Sequence, residues 1–179
     1  MREDQIIRYG RQILLRDVGG KGQERLLASP VRVLGGGPDL EDAVAYLLAG
    51  GTPIELAAGV TLGGFLTGAG MDALNPDALP VKAPVAELLP HALSSTAALQ
   101  VVVGAGVAFR SAQACDRCWA DARGSLGPQS GGPVGSLAAL TVQRLILGWS
   151  EPLGVVHWKG ERFETALVSP CAHEAKSQQ

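Results

Sequence analysis

The stretch Val31-Arg32-Val33-Leu34-Gly35-Gly36-Gly37-Pro38-Asp39-Leu40-Glu41-Asp42 decides the fold. Its first four residues read as a short strand and its three glycines as a turn. Pro38 suits a first helical position, where its missing N–H costs nothing. The helix that follows, Pro38 to Ala49, carries Leu40, Val44, Leu47 and Leu48 at i, i+4, i+7 and i+8 and stops at Gly50-Gly51. An apolar stripe of that spacing packs on a sheet, so strand, glycine turn and helix together predict an α/β architecture.

Working outward, residues 1–29 read as an N-terminal arm of two short helical pieces around Gly19-Gly20, the second running from Lys21 to Ala28 and ending at Ser29-Pro30. A second strand is expected at Ile54 to Ala58, a helix broken by Pro90 at Val85 to Leu93, and a buried strand at Leu99 to Val103. Val134 to Leu147 is a mostly apolar helix closed by Gly148, buried or placed at a subunit interface. Val155 to Trp158 and Phe163 to Val168, joined across Lys159-Gly160, predict a terminal hairpin, and the polar tail from Cys171 to Gln179 is expected to fray. The fold expected is Rossmann-like: a mostly parallel sheet with flanking helices, an N-terminal helical arm and a C-terminal β-hairpin. One domain is expected over 1–179, comprising the arm, a reduced nucleotide-binding-like half at 30–110, and a segment at 111–179 that holds the cysteine pair, a helix and the hairpin.

The chain has 179 residues, enough to bury a core without disulfides. Its hydrophobic content is 46% against 4% aromatic, with 24 glycines, so the core is built from Ala, Leu and Val at close backbone distances. A formal net charge of −2 and the lack of a basic stripe exclude nucleic acid as an expected partner. The N-terminus carries no apolar signal region, which points to a cytoplasmic address. The uncharged stretch from Leu88 to Phe109 is interrupted by Pro90, His91, Ser94, Ser95, Thr96 and Gln100, so no membrane span is expected.

Arg8-Tyr9-Gly10-Arg11-Gln12-Ile13-Leu14-Leu15, then Gly22-Gln23-Glu24-Arg25-Leu26-Leu27 and the strand at Val31, resemble the entrance of the ThiF/MoeB/HesA family, bacterial relatives of ubiquitin-activating enzymes. Cys115-Asp116-Arg117-Cys118, the run Gly132 to Leu140 and the late Ser169-Pro170-Cys171 fall in that family's order. The resemblance implies an ATP-dependent adenylyltransferase fold acting on the C-terminal glycine of a small sulfur-carrier or ubiquitin-like protein. It also implies that Arg11 matches an arginine that reaches into a dimer partner's nucleotide site.

The chain departs from the family where the nucleotide would bind. Gly35 and Gly37 survive from the glycine turn, but Pro38 removes an N–H, Asp39 adds negative charge and Leu40 stands for the last glycine. Asp39, Glu41 and Asp42 have a structural role available at a helix N-terminus, each stabilising it by roughly 0.3–1 kcal/mol. No lysine or arginine occurs from Val33 to Val81, while Asp39, Glu41, Asp42, Glu55, Asp72 and Asp77 are all acidic. The ribose-binding acid after the second strand is missing, since Glu55 comes too early, and no carboxylate lies between Leu88 and Cys115 to support magnesium. Adenylyl transfer depends on positioning and cationic charge compensation, so ATP and magnesium are disfavoured. The reading is a shortened, degenerate family member, a pseudoenzyme that binds a carrier or peptide or pairs with itself or an active paralogue. An active adenylyltransferase and a Rossmann-type small-ligand domain are the alternatives.

Three cysteines in a chain with no export signal favour thiol or metal chemistry. The resemblance implies zinc held by Cys115, Cys118 and Cys171, with His173 or Glu174 as the fourth ligand and imidazole the better one. A redox role for Cys115-x-x-Cys118 is opposed by the charge of Asp116, which would disfavour a thiolate, and no thioredoxin-like context surrounds the motif. His91 and His157 have no evident acid or nucleophile beside them and read as packing or surface residues.

Overall fold

In the computed structural model, which describes residues 1–63, 84–128, 131–149 and 151–166, a seven-stranded sheet has the order β2-β1-β3-β4-β5-β6-β7. The strands are β1 (Val31–Val33), β2 (Ile54–Leu56), β3 (Ala86–Pro90), β4 (Gln100–Gly104), β5 (Gly106–Arg110), β6 (Leu153–Trp158) and β7 (Phe163–Ala166). β1 pairs parallel with β2 and β3, and β3 pairs parallel with β4; the pairings from β4 to β7 are antiparallel. β1 to β4 and β6 therefore point one way, which is the mostly parallel, Rossmann-like sheet that the glycine turn predicts.

The helices are α1 (Glu3–Arg8), α2 (Gly10–Ile13), α3 (Gly19–Leu27), α4 (Pro38–Ala49), α5 (Asp116–Gly124) and α6 (Val134–Leu147). Strand alternation sorts the core into two layers. Val31, Val33, Leu88, Val101, Val103 and Val107 turn to the face covered by α4 and α6, where Leu40, Val44, Leu47, Val134, Ala138 and Val142 complete one cluster. Leu89, Val102, Ala108 and Val155 turn to the opposite face and pack on Trp119, Ala122 and Leu126 of α5 and its C-terminal turn. Each fully buried Leu or Val contributes about 1.5–3 kcal/mol relative to exposure, so the α4 stripe read from the sequence is a principal source of cohesion.

α6 crosses the first turn of α4 at Gly135. A Cβ there would lie 2.5 Å from the Asp39 carbonyl oxygen and 2.6 Å from the Asp42 Cβ. The missing side chain thus permits two backbones to meet, and α6 is buried along the face that touches α4 and the sheet. Leu140, on its other side, is half exposed.

The arm is latched to this core by polar and aromatic contacts. Tyr9 is buried, and the Gln23 amide donates to the Gly50 carbonyl at 2.9 Å. Arg25 Nη1 donates to the Leu147 carbonyl at 3.0 Å, tying α3 to the C-terminus of α6 where the helix dipole favours a cation.

Two expectations need correction. Val85 to Leu93 is not a broken helix: Ala86–Pro90 is the strand β3, held between β1 and β4. A short apolar run does not distinguish strand from helix, and here burial between two neighbouring strands decides. Pro90, the last strand residue, costs only one donor, and His91 N–H resumes the ladder to the Val103 carbonyl at 2.8 Å. β5 is an additional strand, reversing from β4 across the single residue Ala105. Its signal was Gly104-Ala105-Gly106 between two apolar runs. The arm, moreover, holds three helices rather than two. Leu167, Val168 and the tail expected to fray lie outside the described residues.

Gly51 has φ +85°, and a Cβ on it would sit 2.9 Å from both the Gln23 Nε2 and the Tyr9 Cζ. Gly51→Ala is expected to lower stability by about 2–4 kcal/mol, combining the left-handed backbone cost with overpacking. Urea denaturation followed by circular dichroism measures it.

Candidate functional site at the switch point of the sheet

The chain leaves β1 through α4 to reach β2 on one side, and β3 lies on β1's other side. In open α/β sheets such a reversal opens a crevice at the carboxyl ends of the two strands, the usual ligand position. The residues there are Gly35 to Gly37 after β1 and Pro90 to Leu93 at the end of β3.

Gly35 approaches the β3 end closely. A Cβ on it would lie 2.8 Å from both Cδ and Cγ of Pro90 and 3.5 Å from Cδ1 of Leu93. The space that a bare glycine leaves is therefore taken by a proline ring. Gly36 faces the Thr61 carbonyl, which would be 3.3 Å from its Cβ. Gly37, at φ +125°, is the N-cap of α4 and supplies no capping side chain, and Pro38 follows in the first turn. Leu40 is fully buried in the α4–α6 core.

Asp39 is 2% exposed, wedged where the first turns of α4 and α6 meet. The Gly131 N–H donates to its Oδ2 at 3.4 Å, a long hydrogen bond. Burial pushes its carboxyl above the ordinary 3.8; the Gly131 N–H opposes this shift and the nearby Asp42 charge adds to it. Sequence reasoning placed Asp39 at the helix N-terminus but missed its burial, because that burial comes from α6, some ninety residues away.

Other positions follow their neighbours. Glu55 is held by Arg32 across β1 and β2, with Arg32 Nη2 and Glu55 Oε1 2.8 Å apart, and so does not stand at the end of β2. Ala57 there continues the ladder to the Val33 carbonyl. Arg123 Nη2 reaches the β3 end from α5 and donates to the His91 carbonyl at 3.2 Å. His91 and His157 are partly buried, the latter on β6.

Arg11 is exposed on α2, well apart in sequence and contact from the glycine turn. Exposed Ile7, Leu14 and Leu15 surround it in sequence. Its neighbour Gln12 lines a surface groove of about 260 Å³ together with Tyr46 and Ala49 of α4 and Ser136, Leu140 and Gln143 of α6.

Cys115 is the N-cap of α5 and Cys118 lies in its first turn; both are partly exposed. Cys171, His173 and Glu174 lie outside the described residues. Among the described residues no three His, Cys, Asp or Glu side chains group as a metal site. The two thiols alone are half of a tetrahedral zinc set, and the described residues do not complete it. Among the described residues no helix is long and apolar enough to cross a membrane.

No protein-family model and no curated protein matches the chain. Solved structures share its fold. One is PaaA, with a TM-score of 0.58 at 16% identity over 94% of this chain and 84% of that one. Another is Escherichia coli MccB crystallised with MccA, with a TM-score of 0.54 at 13% identity over 93% and 72%. At such identities the likeness is one of fold.

Asp39→Asn removes a buried charge while keeping the shape. Because the folded carboxyl titrates above 3.8, its contribution to stability is complete below that value and is lost as pH rises through the folded pKa. The variant should therefore melt above the parent at neutral pH, and the difference should shrink to nothing at strongly acidic pH. Thermal melts across a pH series test this.

Proposed function

We propose that this chain is a degenerate relative of the ThiF/MoeB adenylyltransferases that serves as a binding or dimer-partner subunit, for a sulfur-carrier or ubiquitin-like protein or an active paralogue. The observation that carries the reading is the filled crevice: Pro90 against Gly35, and the buried Asp39 at the α4 N-terminus. A nucleotide's phosphates need bare N–H groups and an unopposed helix dipole. Here an acid of the chain itself stands at that dipole and a proline ring abuts the turn.

The fold likeness to MccB, a protein crystallised together with MccA, supports a partner-binding reading. So does the arm, where Arg11 is exposed, exposed Ile7, Leu14 and Leu15 lie near it in sequence, and Gln12 borders the α4–α6 groove. A small carrier protein or a peptide is the class of partner that this reading assigns, and Arg11 is the residue that would serve another subunit's site.

Isothermal titration with ATP and magnesium, with the chain alone and with candidate carriers, is expected to give no binding or millimolar affinity. Micromolar binding, or ATP–pyrophosphate exchange by the chain alone, would favour the active adenylyltransferase and overturn the proposal.

A further inference from the structure

We propose that the groove between α4 and α6 binds an extended, uncharged peptide segment and holds it by its main-chain amides. The inference rests on the partner-binding reading above and gives that partner a chemistry. Tyr46, Ala49 and Gly50 line one side of the groove, spaced as i, i+3 and i+4, and Ser136, Leu140 and Gln143 line the other, spaced as i, i+4 and i+7. Each set is one stripe along its helix. Gln12 of α2 completes the lining.

No side chain of this lining carries a charge. A carboxylate, phosphate or ammonium seated there would lose water and gain no counter-ion, which excludes a ligand held by its charge. The groove offers carboxamides and hydroxyls instead. The Gln12 Oε1 is closed off from water and accepts no hydrogen bond, a demand that buried polar groups seldom leave unmet. The last torsion of a glutamine is soft, so this oxygen turns toward a donor in the groove without strain. The main chain beside it is already committed: the Gly50 carbonyl accepts from Gln23 Nε2 at 2.9 Å, and the Gly50 N–H donates to the Tyr46 carbonyl at 3.0 Å.

Gln143 supplies the second carboxamide. Its Nε2 lies over Gly50, where a Cβ would collide with it, so the bare glycine lets the amide lie down against the end of α4. A carboxamide carries both an acceptor and donors, and a peptide unit carries one of each. Two glutamines on different helices therefore pair with successive units of an extended chain. Ala49, Gly50 and Ala139 are small and let a main chain approach closely, while Tyr46 and Leu140, each more than half exposed, meet its apolar side chains. The groove volume of about 260 Å³ falls below the roughly 300–1,000 Å³ that encloses a compact ligand. It suits a strand laid across the surface.

The test selects binders to the full chain from a phage-displayed library of random peptides, then measures the enriched sequences as end-blocked, fluorescein-labelled peptides by fluorescence polarisation. The enriched peptides should be uncharged over the bound segment, and their affinity should not change between about 0.05 and 0.5 M sodium chloride, since no ion pair is present to be screened. Gln143→Ala and Leu140→Glu should each weaken binding about tenfold or more, and N-methylation of the bound peptide amides should do the same. In the parent chain the peptide should slow amide hydrogen exchange over 46–50 and 136–143, a reading that stands if far-UV circular dichroism shows a variant unfolded. The proposal is overturned by a failure to enrich any peptide over an unrelated protein, by charged peptides that salt releases, or by protection confined to other segments. It is also overturned if light scattering finds a homodimer that Leu140→Glu dissociates, because a second copy then covers the groove. Carrier binding that survives both groove substitutions and is lost in Arg11→Ala would sink this inference and leave the proposed function standing.

Discussion

The meeting of α6 with the first turn of α4 at Gly135 is the constraint on which this structure rests. Two helix backbones approach where a Cβ would stand 2.5 Å from a carbonyl oxygen. That approach seats both helices on one face of the sheet and buries Leu40, Val44, Leu47, Val134, Ala138 and Val142 against β1, β3, β4 and β5. It also encloses Asp39. The same packing that makes the core therefore puts a buried acid in the first turn of α4.

At the switch point the chain's own residues crowd the glycine turn. The strands around it are parallel β2, β1, β3 and β4, with the glycine turn between β1 and α4. A proline ring stands beside Gly35, and Leu40 lies in the core. The fold likeness to PaaA and MccB is one of sheet and helices.

Much of this fold was legible in the sequence where one periodicity had a single physical meaning. The α4 stripe of Leu40, Val44, Leu47 and Leu48 is buried as its spacing required, and α6 ends at Gly148 in the left-handed conformation that a terminal glycine signals. The failures came where neighbours decide. Ala86 to Pro90 has no intrinsic preference strong enough to declare itself, and only β1 and β4 on either side make it a strand. The site divides in the same way. The glycine turn and the lysine- and arginine-free stretch after it were plain in the residues, but the approach of Pro90 to Gly35 and the burial of Asp39 depend on contacts between distant segments. The charge of Asp116 was plain, and its neutralisation by Arg110 was not, because the arginine belongs to the adjoining strand.

The reversal from β4 to β5 leaves a single residue, Ala105, between Gly104 and Gly106. Because side chains alternate along a strand, a one-residue slip of β5 against β4 would exchange its faces, turning Val107 toward α5 and Ala108 toward α6. The corner can therefore lengthen only where the added residue stays in the turn and leaves Val103 opposite Val107.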